Sequence, residues 1–122
     1  MYGYDAIDDS YNISYSTALA GLAAARAFAD SKHKKLLVIA AGIPELGPTE
    51  LDGNYRLGQA LAKTADHTIV LGSMFAPDII RGLGNAKYSS YARLVHFTTD
   101  TEKFPKAEWV LLVQPELTDL YY

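Results

Sequence analysis

The chain has 122 residues, a mass of 13.3 kDa and a formal net charge of −3. This length suits a single domain over residues 1–122, and a hydrophobic share of 49% indicates a packed core rather than disorder. The absence of cysteine excludes disulfides and thiolate metal sites, and the net negative charge gives no long-range attraction for nucleic acid or an anionic membrane. No basic-then-apolar leader pattern and no apolar run of about 20 residues stands in the sequence, so we expect a cytoplasmic protein.

The first predicted elements are a short strand and an alanine-rich helix with a polar corner between them. The strand is expected over Tyr4–Asp8 and the helix over Ala18–Ser31, with a hydroxyl of Ser16 or Thr17 capping its start. In open α/β sheets, the carboxyl end of a strand that meets the amino end of a helix is where small ligands bind. The unpaired N–H groups of such a helix end also favour an anion such as a phosphate.

Two continuous apolar runs follow, Leu36–Ala41 and His67–Gly72, and each ends just before or at a glycine. A continuous run, as opposed to an alternating one, is typical of a parallel strand that is covered on both faces. Between them, Thr49–Asp52 predicts a capping box at the start of a helix that extends to about Ala65.

The last third of the chain is less regular. Pro77 to Leu83 predicts a short helix, Asn85 to Tyr91 a polar loop, and Arg93 to Phe97 a fourth strand. Thr98 to Lys106 is predicted as a connector, and Trp109 to Val113 as a fifth strand. Strands that alternate with helices in this way predict a Rossmann-like three-layer αβα domain with a mostly parallel sheet of five or six strands.

The polar corner after the first strand holds the first candidate site residues. Asp9 and Asn12 could hydrogen-bond sugar hydroxyls or orient water around a metal–phosphate group. A carboxylate here could equally cap the turn or face solvent, and Tyr11 could lie beside a nucleotide or pack onto the corner. The three histidines are widely scattered and none shares metal-ligand spacing with another, so no metal site is predicted.

Three motifs carry a family resemblance. Asp8-Asp9-Ser10-Tyr11-Asn12 resembles the D-D-S-Y-N that opens the C-terminal domain of Mur ligases. Gly42-Ile43-Pro44-Glu45-Leu46-Gly47 is similar to that family's G-x-M-x-E-L-G. Gly53-Asn54-Tyr55-Arg56-Leu57-Gly58 resembles its E-x-H-x-x-x-G helix, with Asn54 in the histidine place. The order and spacing of the motifs are closest to the type that joins D-alanyl-D-alanine to the UDP-N-acetylmuramoyl-tripeptide.

The resemblance covers roughly residues 4–83 and has clear departures. Ile13-Ser14-Tyr15 replaces the family's A-N-P, and Gln114-Pro115-Glu116-Leu117 stands where the family has K-G-S-R. These departures leave the amine substrate open.

The resemblance implies a part in ATP-dependent amide-bond formation during peptidoglycan synthesis. In that family a carboxylate becomes an acyl phosphate that an amine attacks, with ATP and Mg held mainly by a central domain. The implied partners are that central domain of the same parent chain, a UDP-linked cell-wall precursor, and an amino acid or dipeptide. The N-terminal and central domains are expected to lie outside these 122 residues. Since the chain has no G-x-x-x-x-G-K-[ST] loop, we expect no catalysis by the isolated domain and assign it no catalytic residue.

Under this resemblance the nucleotide contacts are assigned to Asp9, Asn12, Tyr11 and Ser16, and Glu45 to the loop that meets the substrate or the closing domain. The alternative is a stand-alone Rossmann-like binding or regulatory module, a degenerate ligase domain that no longer catalyses. A nucleotide-dependent oxidoreductase is disfavoured because no G-x-G-x-x-G follows the first strand.

Overall fold

A parallel five-stranded sheet organises the protein. The computed structural model describes residues 3–9, 14–43 and 52–115. Within those ranges the strands are β1 (Asp5–Asp8), β2 (Lys35–Ala40), β3 (His67–Leu71), β4 (Tyr88–Tyr91) and β5 (Trp109–Val113). They lie in the order β1-β5-β2-β3-β4, and every neighbouring pair is parallel. The predicted α/β class with a parallel sheet is confirmed.

Helices cover both faces of the sheet, in unequal numbers. The helices are α1 (Tyr15–Ser31), α2 (Gly53–Thr64), α3 (Ala76–Leu83) and the short α4 (Leu94–Thr98), which a 3₁₀ turn follows at Thr101–Lys103. The connections through α1, α2 and α3 all step across the sheet in one direction, and right-handed crossovers place such helices on one face. The connection from β4 to β5 steps back, so α4 and the 3₁₀ turn lie on the other face. In the described part of the chain, no helix has the length and apolarity to cross a membrane.

The central strand, β2, buries both of its faces. Leu36 and Val38 of β2 pack under α1–α3, whereas Leu37 and Ile39 pack toward α4 on the opposite side. All four side chains are fully buried, and each contributes roughly 1.5–3 kcal/mol of hydrophobic stabilisation. Burial on both faces is the reason that this strand reads as an unbroken apolar run.

Two glycines allow α2 and α3 to touch backbone to backbone. A Cβ at Gly58 would overlap the carbonyl oxygen of Ile79, and one at Gly82 would overlap the carbonyl oxygen of Tyr55. Gly58 is the glycine of the third motif, so the structure gives that position a packing role. The close contact fixes the two helices that begin just after the loops leaving β2 and β3.

Three sequence predictions were wrong in detail. The predicted loop 85–91 contains β4, and the predicted strand Arg93–Phe97 lies mostly in α4. An edge strand needs few apolar side chains, and Leu94 and Phe97 are both buried at the three-residue spacing of a helix face. Helix α1 starts earlier than predicted because Ser14 caps it: Ser14 Oγ accepts from Thr17 N–H, and Ser14 N–H donates to Thr17 Oγ1.

The start of α2 was predicted as a capping box over Thr49–Asp52. Asp52 occupies the N-cap position but makes no capping side-chain hydrogen bond. The other three residues of the predicted box lie outside the described residues.

Candidate functional site

The connections that follow β3 and β4 diverge, which creates a crevice at the carboxyl edge of the sheet. The chain leaves β3 for α3 on one face and leaves β4 for α4 on the other. In open α/β sheets ligands bind at such a switch point, outside the carboxyl ends of the strands. A cavity of about 210 Å³ lies there, which we call the carboxyl-edge cavity. Its lining residues are Ala41, Leu71, Gly72, Ser73, Met74, Phe75 and Ala92.

The described lining of this cavity is uncharged and mostly apolar. The Ser73 hydroxyl is the one polar side-chain group among the lining residues, and the Met74 side chain is 81% exposed beside it. Pockets for drug-sized ligands usually measure about 300–1,000 Å³, so this smaller space fits a group the size of one amino acid. Its described residues offer apolar contact and one hydroxyl rather than charge.

Buried, neutral contacts hold the loop after β2 beside the cavity. Gly42 has a φ of +97°, and a Cβ there would lie 2.5 Å from Cβ of Phe75. Both the backbone angle and the contact with Phe75 therefore require glycine. The next residue, Ile43, is held by Asn54 from α2. Asn54 Oδ1 accepts from Ile43 N–H at 2.8 Å, and Asn54 Nδ2 donates to Ile43 O at 3.2 Å. Asn54 is 5% exposed, so its amide is committed to holding this loop.

Asp9 follows edge strand β1, but its side chain packs on a helix. Its N–H donates to Val113 O at 2.8 Å, and its Oδ2 is buried against α1, where a Cβ at Gly21 would overlap it. Two strands separate β1 from β3, which places Asp9 about 14 Å from the carboxyl-edge cavity at the usual strand spacing. The structure thus places Asp9 at the expected edge, with one carboxylate oxygen turned toward α1.

Of the other predicted site residues, Ser16 alone lies within the described ranges. Ser16 is exposed in the first turn of α1, at the same sheet edge, with its Oγ 3.4 Å from Ser14 Oγ. Asn12, Tyr11 and Glu45 lie outside the described residues. Their roles, and nucleotide contact by Asp9 and Ser16, stay predictions. Within residues 3–9, 14–43 and 52–115, no three acidic or histidine side chains converge on a possible metal position.

Gln114 is a carboxyl-edge residue that the motifs did not single out for a role. It follows β5, is 8% exposed, and donates from Nε2 to Ala18 O at 3.1 Å. Its N–H donates to Ile39 O at 3.1 Å, so it ties α1 and β2 together where the resembling family has K-G-S-R. Its Oε1 is buried without a hydrogen-bond partner among the residues that the structure describes. The sequence signal was its place at the end of a buried apolar run.

Tyr91 closes the carboxyl end of β4, next to the switch point. Its hydroxyl donates to Asp100 Oδ2 at 2.7 Å. Burial, followed by this hydrogen bond and the charge of Asp100, raises the pKa of Tyr91 above its ordinary value. The phenol therefore stays protonated at neutral pH and ties β4 to the segment after α4.

Comparison with known proteins supports the fold. No family model matches the chain, and no curated protein matches it significantly. Among solved structures, it is similar to a domain assigned to a UDP-N-acetylmuramate:L-alanyl-γ-D-glutamyl-meso-diaminopimelate ligase from Haemophilus ducreyi. The TM-score is 0.67 at 13% sequence identity, over 93% of this chain and 80% of that one. The chain therefore has a Mur ligase-like, Rossmann-like three-layer fold, while its relation to the D-alanyl-D-alanine-adding type stays a prediction.

Proposed function

We propose that this chain is the lid domain of an ATP-dependent, Mur ligase-like enzyme that forms an amide bond in cell-wall precursor synthesis. The observation that carries the proposal is the carboxyl-edge cavity at the switch point between β3 and β4, in a fold similar to that of a ligase domain. The three motifs add independent support, because the first follows the carboxyl end of β1 and the second follows the carboxyl end of β2, at the same edge of the sheet. The domain closes over the nucleotide and positions the incoming amino acid or dipeptide.

The length of the carboxyl edge fits two ligands side by side. Five strands span about 19 Å from β1 to β4 at the usual spacing. ATP, with Mg bound mainly by the central domain of the parent chain, is placed at the β1 end, near Asp9, Asn12, Tyr11 and Ser16. The side chain of the amine component is placed in the carboxyl-edge cavity, and β2, which the predicted Glu45 loop follows, lies between the two ends.

This arrangement serves the chemistry by position rather than by a reacting side chain. The carboxylate of the UDP-linked precursor takes the terminal phosphoryl group of ATP and becomes an acyl phosphate. The amine then attacks the carbonyl carbon, the C–N bond forms, the C–O bond to phosphate breaks, and the amine loses a proton. A lid that aligns both reactants and excludes water favours aminolysis over hydrolysis.

The lining of the cavity suggests the kind of amine. Because none of the described lining residues is charged, a side chain as small and apolar as the methyl group of alanine fits better there than a carboxylate or an ammonium group. A D-alanyl-D-alanine dipeptide is the nearest analogue in the resembling family.

The test is ATP-dependent phosphate release by the full-length parent protein, measured over a panel of amino acids and dipeptides. Ala92→Leu fills the carboxyl-edge cavity, so we expect the KM of the amine to rise about tenfold or more, with the KM of ATP unchanged. A misfit of one to two methylenes between a ligand and an apolar pocket has an effect of about this size. Ala24→Leu, the same change at an exposed position of α1, is the matched control. Asp9→Ala is expected to lower turnover in a protein that still folds.

Two results would overturn the proposal. One is a parent protein in which no amine of the panel stimulates phosphate release. The other is robust ATP turnover by the purified 122-residue chain alone. A parent reading frame without a G-K-[ST] domain would favour the alternative, a stand-alone binding or regulatory module.

A further inference from the structure

The opposite edge of the sheet carries a larger and chemically different depression. It measures about 550 Å³ and lies at the amino ends of β2, β3, β4 and β5, and we call it the amino-edge cavity. Its volume falls within the range of about 300–1,000 Å³ that is usual for small-molecule sites. The side chains that define its chemistry are Lys35, His67, Asn85, Lys87, Phe104 and Trp109.

The charge of the amino-edge cavity is positive. Lys35 and Lys87 both line it, and neither forms an ion pair with a described residue. Asp66 also lines it, but Asp66 Oδ2 accepts from Arg26 Nη1 at 2.9 Å and from Leu36 N–H at 2.8 Å. Asp66, the one acidic group among the described lining residues, is thus engaged by Arg26 and the backbone, and the charge of Lys35 also acts on it. Neither ammonium group is held in an ion pair with a described residue, so both can receive an anion.

An aromatic wall completes the amino-edge cavity. The rings of His67 and Phe104 lie 4.8 Å apart, and Phe104 meets Trp109 edge-on at 5.2 Å. Lys35 Nζ is 5.4 Å from the centre of the Trp109 ring, so a cation stands directly beside the wall. Burial, helped by the charge of Lys87, lowers the pKa of His67, so this ring is neutral at pH 7, and its Nε2 is hydrogen-bonded to Ser89 Oγ at 2.8 Å.

We propose that the amino-edge cavity binds a small aromatic carboxylate. The two lysines receive the carboxylate, the Asn85 amide can donate to it, and the aromatic wall packs against the ring. Strands of about five residues at 3.3 Å each put this site roughly 16 Å from the carboxyl edge. It is therefore separate from the proposed lid function, and the failure of one leaves the other standing.

The chain provides its own reporter for this site. Trp109 is the single tryptophan, so its indole N–H gives one unambiguous cross-peak in a ¹H–¹⁵N NMR spectrum. The chain is titrated with benzoate, with benzamide as the uncharged analogue, and with acetate as the anion without a ring. We expect benzoate to shift the Trp109 cross-peak saturably, with a dissociation constant at least about fivefold below those of benzamide and acetate, since each exposed charge pair supplies up to about 1 kcal/mol.

Charge-removing variants test the lysines. Lys87→Gln and Lys35→Gln should each weaken benzoate binding about three- to fivefold, whereas Lys63→Gln, an exposed lysine of α2 outside the cavity, should leave it unchanged. Unaltered cross-peaks in the core strands report that each variant is folded. The proposal is overturned if benzoate and benzamide shift the Trp109 cross-peak equally, or if Lys63→Gln weakens binding as much as Lys87→Gln. It is also overturned if benzoate gives no saturable shift up to about 20 mM, roughly the weak limit for such ligands.

Discussion

The loop after β2 at the carboxyl edge and the helix ends at the amino edge are held by different kinds of interaction. Beside the carboxyl-edge cavity, the contacts that hold the loop after β2 are buried and neutral: Phe75 packs on Gly42, and the Asn54 amide pairs with the backbone of Ile43. At the amino edge they are charged and half-exposed, with Arg26 joining α1 to the segment after α2 through Asp66. The carboxyl edge is therefore shaped by steric fit, and the amino edge by electrostatics.

The direction of the helices accounts for part of this difference. In a parallel α/β domain every crossover helix begins at the carboxyl edge and ends at the amino edge, where its partial negative charge favours cations. Lys63 and Arg81 stand in the last turns of α2 and α3, and Lys32, Lys34 and Lys35 follow α1. Topology thus favours cations at the amino edge, and the two edges should respond differently to substitution, salt and pH.

The largest effect is expected from breaking the carboxyl edge at Asn54. Asn54→Leu leaves the N–H and C=O groups of Ile43 buried and unpaired, which should cost about 2–6 kcal/mol of unfolding free energy at about 1–3 kcal/mol for each group. Urea denaturation measures the loss, and its size should not depend on salt. Gln59→Leu, on the exposed side of the same helix, should change stability by less than about 0.5 kcal/mol. A neutral Asn54→Leu would contradict the idea that the amide holds the loop.

The matching test at the amino edge is Arg26→Met. Arg26 bonds Asp66, Asp30 and the carbonyl of Thr64, and its side chain is 28% exposed. Its removal should cost about 1–2 kcal/mol at low salt and clearly less in 1 M NaCl, because partly exposed ion pairs are screened. Lys103→Met, which removes one cation from an exposed pair with Asp100, should cost less than about 0.5 kcal/mol. Equal losses at both salt concentrations would show that the two edges do not differ in kind.

The smallest effect is a pH dependence that belongs to the amino edge. Burial and then the charge of Lys87 lower the pKa of His67 below 6.5 in the folded protein. The unfolded chain therefore binds this proton more readily, so the contribution of His67 to stability is complete above about pH 6.5 and is lost as pH falls below it. NMR titration of the His67 ring should show the lowered pKa, and Lys87→Gln should raise it while Lys63→Gln does not. A His67 ring that titrates at or above 6.5 would refute this.

Most of the fold could be predicted because its elements carry strong local patterns. The unbroken apolar runs of β2, β3 and β5 reveal strands buried on both faces, and three- and four-residue apolar spacing reveals α1 and α2. The predictions for the stretch from β4 to α4 were wrong, since the predicted loop contains a strand and the predicted strand is mostly a helix. A polar edge strand such as Tyr88–Tyr91 carries no apolar signal, and a five-residue helix is too short to display a period.

The candidate site was predictable only in outline. The motif around Asp9 lies at the same edge of the sheet as the carboxyl-edge cavity, but two strands lie between β1 and β3, where the cavity begins. No motif covers the loops after β3 and β4 that line it. Asp9 was predicted to contact a nucleotide, which stays a prediction, while the packing of its Oδ2 on α1 beside Gly21 was not predicted. Side-chain direction at a strand end depends on the helix that covers it, which a local motif does not contain.

By itself, the sequence determined the fold class, most helices and strands, and the edge at which ligands are expected, because periodicity and turn residues act over a few neighbours. Only the tertiary structure decided that β5 pairs between β1 and β2. That long-range pairing separates Asp9 from the switch point and assembles the charged amino-edge cavity from four different strand ends. Strand order results from the packing of all layers at once, so no local pattern could reveal it.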